Sequence, residues 1–217
     1  MKIFLDTANT EEIKTGVAAG CVSGITTNPT IISRENKSLK KCIEDIVNID
    51  SKLTILIEAV SSEAGSMVKE ARELTRLAPE VVIKLPMTIA GLSAARILSK
   101  EGVSTAITLV FSLNQAIAAS CAGADYVAPF VGRMDDMNAD GLALVRSIKE
   151  TLTLQGAKTK VISASVRTPQ SVSQLFSVGC DIVTVPGSIL AAMFRHPLTE
   201  AGLKKFEEDW KKVPVHS

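Results

Sequence analysis

Val81-Val82-Ile83-Lys84-Leu85-Pro86 is the stretch that decides the fold: a short apolar run, rich in β-branched residues, broken by one lysine and closed by proline. Runs of this length bounded by turn signals read as strands buried on both faces, the kind that parallel sheets contain. Upstream, Ala78-Pro79 stops the helical segment Met67 to Leu77, because the residue before a proline resists the helical region. Downstream, a helical pattern ends at Gly102, placed as a left-handed terminator, and another apolar run follows. The same unit recurs in both directions along the chain. Apolar runs near residues 3 to 6, 23 to 26, 54 to 60, 81 to 85, 105 to 110, 126 to 130, 160 to 164 and 182 to 185 are each followed by a helix-like stretch. Gly20, Gly123 and Gly179 repeat the position of Gly102. Helix starts are marked as well. Asn9-Thr10-Glu11-Glu12 offers a cap, Ser112-Leu113-Asn114-Gln115 has the spacing of a capping box, and Thr168-Pro169 places an N-cap before a first-turn proline.

Eight such βα units predict a closed (β/α)8 TIM barrel, near the short end of the usual length range. The alternative, an open doubly wound sheet, would normally carry a glycine-rich phosphate loop after an early strand. Neither G-x-G-x-x-G nor G-x-x-x-x-G-K-[ST] occurs. No linker, low-complexity tract or composition shift divides the chain, so residues 1 to 217 read as a single barrel domain with an additional C-terminal helix over about 199 to 212.

Bulk properties narrow the function classes. A net charge of +1, with no basic block and no interleaved aromatic platform, argues against nucleic acid as a partner. Cys21, Cys42, Cys121 and Cys180 are widely spaced and form no C-x-x-C pair, which predicts free thiols. No apolar stretch approaches the roughly 20 residues of a membrane helix. The opening Met1-Lys2-Ile3-Phe4-Leu5-Asp6 reads as a strand, with no apolar signal core. A cytoplasmic, soluble protein without a membrane partner is the expectation. The only histidines, His196 and His216, follow no strand end, so a histidine-ligated metal centre is not expected.

In a parallel barrel the carboxyl ends of all strands open onto one face, and polar residues closing separate strands converge there. Here they are Asp6, Thr26-Thr27-Asn28, Glu58, Lys84, Thr108, Arg133, and Ser165 with Arg167. An ammonium is costly to bury, so Lys84 is either a strand-edge lysine with a wet head or a nucleophile whose walls disfavour the charged form. Asp6 serves chemistry or caps the first helix, although Asn9 is the better cap. Glu58 either neutralises Lys84 as a buried ion pair or works as an acid or base. Thr108 alone is an ordinary β-branched strand residue. Arg133 and Arg167, beside Gly132, Ser165 and a helix start, suit a dianionic phosphate unless they are merely solvated.

The segments Leu5-Asp6-Thr7-Ala8, Gly24-Ile25-Thr26-Thr27-Asn28-Pro29-Thr30-Ile31-Ile32, Ile83-Lys84-Leu85-Pro86, Ala128-Pro129-Phe130-Val131-Gly132-Arg133 and Ala164-Ser165-Val166-Arg167 resemble the small transaldolase subfamily, which includes fructose-6-phosphate aldolase. The resemblance runs almost end to end. It implies a class I mechanism with no metal and no organic cofactor, in which Lys84 forms a Schiff base with a ketose phosphate and a dihydroxyacetone unit passes to an aldose phosphate. It further implies that Asp6 is the acid-base group, that Glu58 and Thr108 hold a proton-shuttling water, and that Thr26 and Asn28 bond substrate hydroxyls. Arg133, Ser165 and Arg167 would hold the phosphate. Glu58 and Phe130 stand where the aldolase branch carries glutamine and tyrosine, which favours transfer, in the pentose phosphate pathway, over release of free dihydroxyacetone. The tail's Leu203, Phe206 and Trp210 lie at helical spacing and either cap their own barrel or, as the family implies, pass to a neighbour in a pentameric ring, paired into decamers.

Overall fold

The computed structural model describes residues 1–214, and in it eight parallel strands close into a barrel in chain order. The first half runs β1 Lys2–Asp6, α1 Thr10–Ala18, β2 Val22–Thr26, α2 Pro29–Arg34, α3 Leu39–Ile49, β3 Thr54–Glu58, α4 Ala64–Leu74 and β4 Val81–Pro86. It continues with α5 Ile89–Lys100, β5 Thr105–Val110, α6 Leu113–Cys121, β6 Tyr126–Pro129, α7 Val131–Asp136 and α8 Gly141–Leu154. The chain closes with β7 Lys160–Ser163, α9 Pro169–Ser177, β8 Ile182–Val185, α10 Gly187–Met193 and α11 Pro197–Trp210. Pairing of β1 with both β2 and β8 seals the ring. His216, one of the two histidines, lies outside the described residues.

Local chemistry sets the ends of these elements. The Asn9 side chain accepts the amides of Glu11 and Glu12 at 3.0 and 3.2 Å, and Thr168 caps α9 with Pro169 at its first position. Gly20, Gly102, Gly123 and Gly179 all sit at positive φ. At Gly179, with φ +84°, any side chain would strain the backbone, which is why glycine ends α9. Some boundaries differ from the sequence reading. α4 stops at Leu74 and is capped by Thr75, so a full turn of chain precedes Pro79. Ser112 accepts the Gln115 amide at 3.3 Å, but the Gln115 side chain returns to the Phe111 amide at 2.7 Å and not to Ser112. β3, β6 and β7 each end one or two residues early, because the chain turns into the mouth of the barrel there; Phe130 and Ala164 keep only an isolated bridge.

Two apolar layers result from the two faces of every strand. One face packs against the helices, where Leu5, Ile25, Ile57, Ile83, Ile107, Val127 and Val183 join buried helical residues. The other fills the barrel with Phe4, Leu56, Val82, Ala106, Ala128, Ile162 and Ile182. Phe4 is the bulkiest of these and needs a neighbour without a side chain. A Cβ on Gly24 would lie 2.7 Å from its ring. The barrel is thus closed by an apolar floor, and a polar layer lies above it, toward the carboxyl ends of the strands. No described helix is long and apolar enough to cross a membrane.

Candidate active site

One step of two residues beyond the apolar floor, the inward positions turn polar. Phe4 is followed by Asp6, Gly24 by Thr26, Leu56 by Glu58, Val82 by Lys84, Ala106 by Thr108 and Ile182 by Thr184. These six side chains line one cavity of about 440 Å³, with Asn28, Arg34, Phe130, Arg133 and Ser165 among its other walls. Register decides which of them touch. Lys84 is the Cα partner of Glu58, and Asp6 is the partner of Thr26.

Lys84 is 6% exposed. Its Nζ donates to the Thr27 carbonyl and to Glu58 Oε2, both at 2.9 Å. The apolar walls that the sequence implied for this amine are therefore a floor only, because a carbonyl and a carboxylate meet its head. Glu58 is in turn steadied from behind. Glu70, on α4, accepts the amides of Val60 and Ser61 at 3.0 to 3.1 Å and pins the loop that leaves β3.

Asp6 lines the same cavity as this pair. Burial pushes its carboxyl above the ordinary value, while the Thr26 hydroxyl and the Lys84 charge pull the other way. Thr26 donates to Asp6 Oδ1 at 2.7 Å and lies 2.6 Å from the Thr184 hydroxyl. Its proton is thus committed to Asp6 and one side of its oxygen faces Thr184, which leaves one lone pair as its remaining capacity toward the cavity. Asn28 keeps more freedom. Its Oδ1 caps α2 by accepting the Ile31 amide at 2.9 Å, which leaves its amide hydrogens for a hydroxyl oxygen.

Thr108 reaches the cavity through an irregularity. β5 loses register with β6 between Ile107 and Val110, and Leu109 sits at φ +60°. The extra residue lets Thr108 and Leu109 both face the cavity while Ile107 and Val110 keep their places among the helices. A leucine in the left-handed region costs about 1 to 2 kcal/mol, which the surrounding barrel must offset. The Thr108 hydroxyl is buried and has no hydrogen-bond partner among the described residues. A buried hydroxyl is normally satisfied, and Thr108 faces the cavity, so its oxygen is open to a group that enters there.

The phosphate-side residues divide. Arg133 lies on α7, within its first turn, with its guanidinium 4.9 Å from the centre of the Phe130 ring. That ring is itself held by Phe111 at a centroid distance of 6.0 Å. Ser165, at φ +62°, lines the cavity beside it. Arg167 does not. Both of its terminal nitrogens donate to the carboxylate of Asp136 at the end of α7, and its guanidinium is absent from the cavity wall. Gly132 makes this crossing possible, since a Cβ there would lie 2.1 Å from the Ser165 carbonyl oxygen. In place of Arg167 the cavity gains Arg34, from α2, which like Arg133 has no carboxylate partner among the described residues. No sequence signal singled out Arg34, because nothing in a helix pattern says which way its last turn leans. Thr184 was missed too, although its place two residues after Ile182 matches that of Asp6 after Phe4. No group of three or more His, Cys, Asp or Glu side chains among the described residues is arranged to hold a metal ion.

Fold and site define a parallel (β/α)8 barrel whose mouth holds a buried lysine–carboxylate pair, a second carboxylate in the same cavity, and two guanidinium groups, of Arg34 and Arg133, in its wall. The chain belongs to the transaldolase/fructose-6-phosphate aldolase family, whose family model matches residues 3–215. It is 48% identical over 213 residues to a probable transaldolase of Pelotomaculum thermopropionicum, covering 98% of this chain and 99% of that protein. A probable transaldolase of Brachyspira hyodysenteriae is 46% identical over 214 residues, with 98% and 99% covered. One from Carboxydothermus hydrogenoformans is 48% identical over 214 residues, with the same coverage.

Proposed function

We propose that this protein is a transaldolase that carries a dihydroxyacetone unit on Lys84 from a ketose phosphate, sedoheptulose 7-phosphate or fructose 6-phosphate, to an aldose phosphate in the pentose phosphate pathway. The observation that carries the reading is the buried Lys84 Nζ, 2.9 Å from Glu58, in one cavity with Asp6 and Arg133. An amine attacks only when neutral, and Glu58 is the base within reach of its proton. Attack on the C2 carbonyl gives a carbinolamine, which loses water to form the imine. A water held between Glu58 and the Thr108 hydroxyl shuttles the protons. Asp6 takes the C4 hydroxyl proton, the C3–C4 bond breaks, its electrons flow into the imine, and the aldose leaves. The resulting enamine adds to an incoming aldehyde, Asp6 returns the proton to the new hydroxyl, and hydrolysis frees Lys84. The Asn28 amide orients a substrate hydroxyl, and Arg133 with Ser165 holds the phosphate. Arg167 joins them only if its pair with Asp136 opens.

Borohydride reduction in the presence of fructose 6-phosphate tests the core of this. A three-carbon adduct on the Lys84 peptide is expected, and Lys84→Met should abolish turnover. An adduct elsewhere overturns the mechanism. The alternative within the family is aldolase action with release of free dihydroxyacetone. Glu58 and the hydroxyl-free ring of Phe130 favour transfer, since no phenolic hydroxyl reorganises the water near the imine. Assays with and without erythrose 4-phosphate separate the two, because a transferase yields dihydroxyacetone products only when the acceptor is present.

The same reading extends to assembly. α11 buries none of its residues, and Leu198, Leu203, Phe206 and Trp210 are exposed along it. A homo-oligomer in which α11 packs on a neighbour, with rings of five that pair into decamers, would cover that surface. A cytoplasmic location fits this chemistry.

A further inference from the structure

Thr184 is buried in the cavity wall on β8, and nothing in the mechanism above uses it. Its hydroxyl oxygen lies 2.6 Å from that of Thr26, which lies 2.7 Å from Asp6 Oδ1. Each threonine hydroxyl has one proton to give. An ionised Asp6 can only accept, so the proton of Thr26 points at Oδ1. The proton in the contact between the two threonines must then come from Thr184. The direction of the chain is dictated: Thr184 donates to Thr26, and Thr26 donates to Asp6. Oδ2 of Asp6 makes no hydrogen bond among the described residues, and the carboxyl lines the cavity.

We infer that Thr184 is a positioning residue for the acid-base step: by donating to Thr26 it commits the only Thr26 proton to Asp6 Oδ1, and so reserves Oδ2 for the C4 hydroxyl of the substrate. This rests on the reading of Asp6 as the acid-base group. The proton that leaves the C4 oxygen then lodges on Oδ2, on the cavity side, because Oδ1 is already receiving one. From there it returns to the oxygen of the incoming aldehyde as the new C3–C4 bond forms, and no proton is gained or lost over the cycle. Without the Thr184 hydroxyl, Thr26 is free to turn, and Oδ1 can keep the proton on the side away from the substrate.

The other groups around Asp6 act on it at longer range. Lys84 on β4 favours the ionised form. Glu58 on β3, Arg34 on α2 and Arg133 on α7 share the cavity, and Glu12 with Glu35 line the groove that adjoins it. None of these bonds Asp6 directly, so the chain through Thr26 is its one direct hydrogen bond among the described residues.

The test compares Thr184→Val, Thr184→Ser and Asp6→Asn with the wild-type protein in the transfer assay. Valine keeps the shape and removes the hydroxyl. Its kcat should fall about 3- to 10-fold, the weight of one net hydrogen bond, with KM for fructose 6-phosphate nearly unchanged. The acidic limb of kcat/KM should move to higher pH, since Asp6 loses support for its charge. The serine variant should restore both. A measurement independent of turnover is the carboxyl carbon NMR shift of Asp6, whose titration midpoint should rise in Thr184→Val. If that variant does not fold, Thr184→Ala carries the same expectations. Wild-type kcat and an unmoved acidic limb in Thr184→Val overturn the inference. So does a serine variant as impaired as the valine one, which would assign the effect to packing of the methyl group. An Asp6→Asn protein with undiminished turnover would instead overturn the assignment of Asp6 itself, and the role of Thr184 with it.

Discussion

Burial makes the charged form of Asp6 costly. The desolvation of its carboxyl outweighs the help of the Thr26 hydroxyl and of the Lys84 charge, so it titrates above an ordinary aspartate. The consequence for stability has a definite sign. The folded protein holds this proton at pH values where the unfolded chain, near 3.8, has already released it. Stability from this group is complete below that value and is lost as pH rises through the folded one. Asp6→Asn should therefore melt at a higher temperature than the wild type at pH 7 while its turnover falls by about 10² to 10⁴, the usual weight of a general acid-base group. Thermal unfolding and the transfer assay on one preparation check both halves. At this scale the sequence named the chemical groups but not their hydrogen-bond partners. Asp6, Lys84 and Glu58 stood out because a charge at the end of an apolar run is unusual, whereas Thr108 carried almost no signal by itself. That Thr26 is spoken for, and that Asp136 holds Arg167, depends on partners 20 and 31 residues away in the chain.

At the scale of elements, the alternation of every strand carries the site. An apolar floor residue and a polar residue two positions later are enforced by the pleat, and they converge because the strands are parallel. β5 departs from this alternation at Leu109, and no residue there announces a bulge; a glycine would have. The crossing of α7 over the chain after β7 is a second tight point. Gly132→Ala should push the Ser165 carbonyl aside and raise KM for fructose 6-phosphate roughly tenfold or more, since displacements of about an ångström at a binding wall have effects of that order. Borohydride trapping on Lys84 should persist in that variant, which separates displacement of the proposed phosphate wall from loss of the proposed nucleophile. Helix ends were legible to within a few residues, and they report on stability alone. Gly179→Ala, far from any cavity wall and at φ +84°, should lower the unfolding free energy by about 1 to 2 kcal/mol in urea with kcat unaltered.

For the molecule as a whole, the polar mouth and the exposed apolar helix are the two surfaces on which the proposed sugar phosphate and the proposed second copy of the chain would sit. Trp210 is 76% exposed and Phe206 71%, on the same helix as the exposed Leu198 and Leu203. Trp210→Glu together with Phe206→Glu should reduce the mass measured by light scattering while far-UV circular dichroism stays that of the barrel; an unchanged mass would remove α11 from the assembly. What the sequence by itself determined was the number of strands, the helix starts and stops, and the residue types that rise above the floor of the barrel. Those are set by interactions within a few positions of chain: the pleat, the caps, the turn glycines. Only the tertiary structure decided that Thr184 meets Thr26 across 158 residues, that Arg34 rather than Arg167 stands in the cavity wall, and that Lys84 shares its head with Glu58. Ring closure and strand register bring such groups together, and each charge then goes to the nearest competitor for it, a choice that no local pattern encodes.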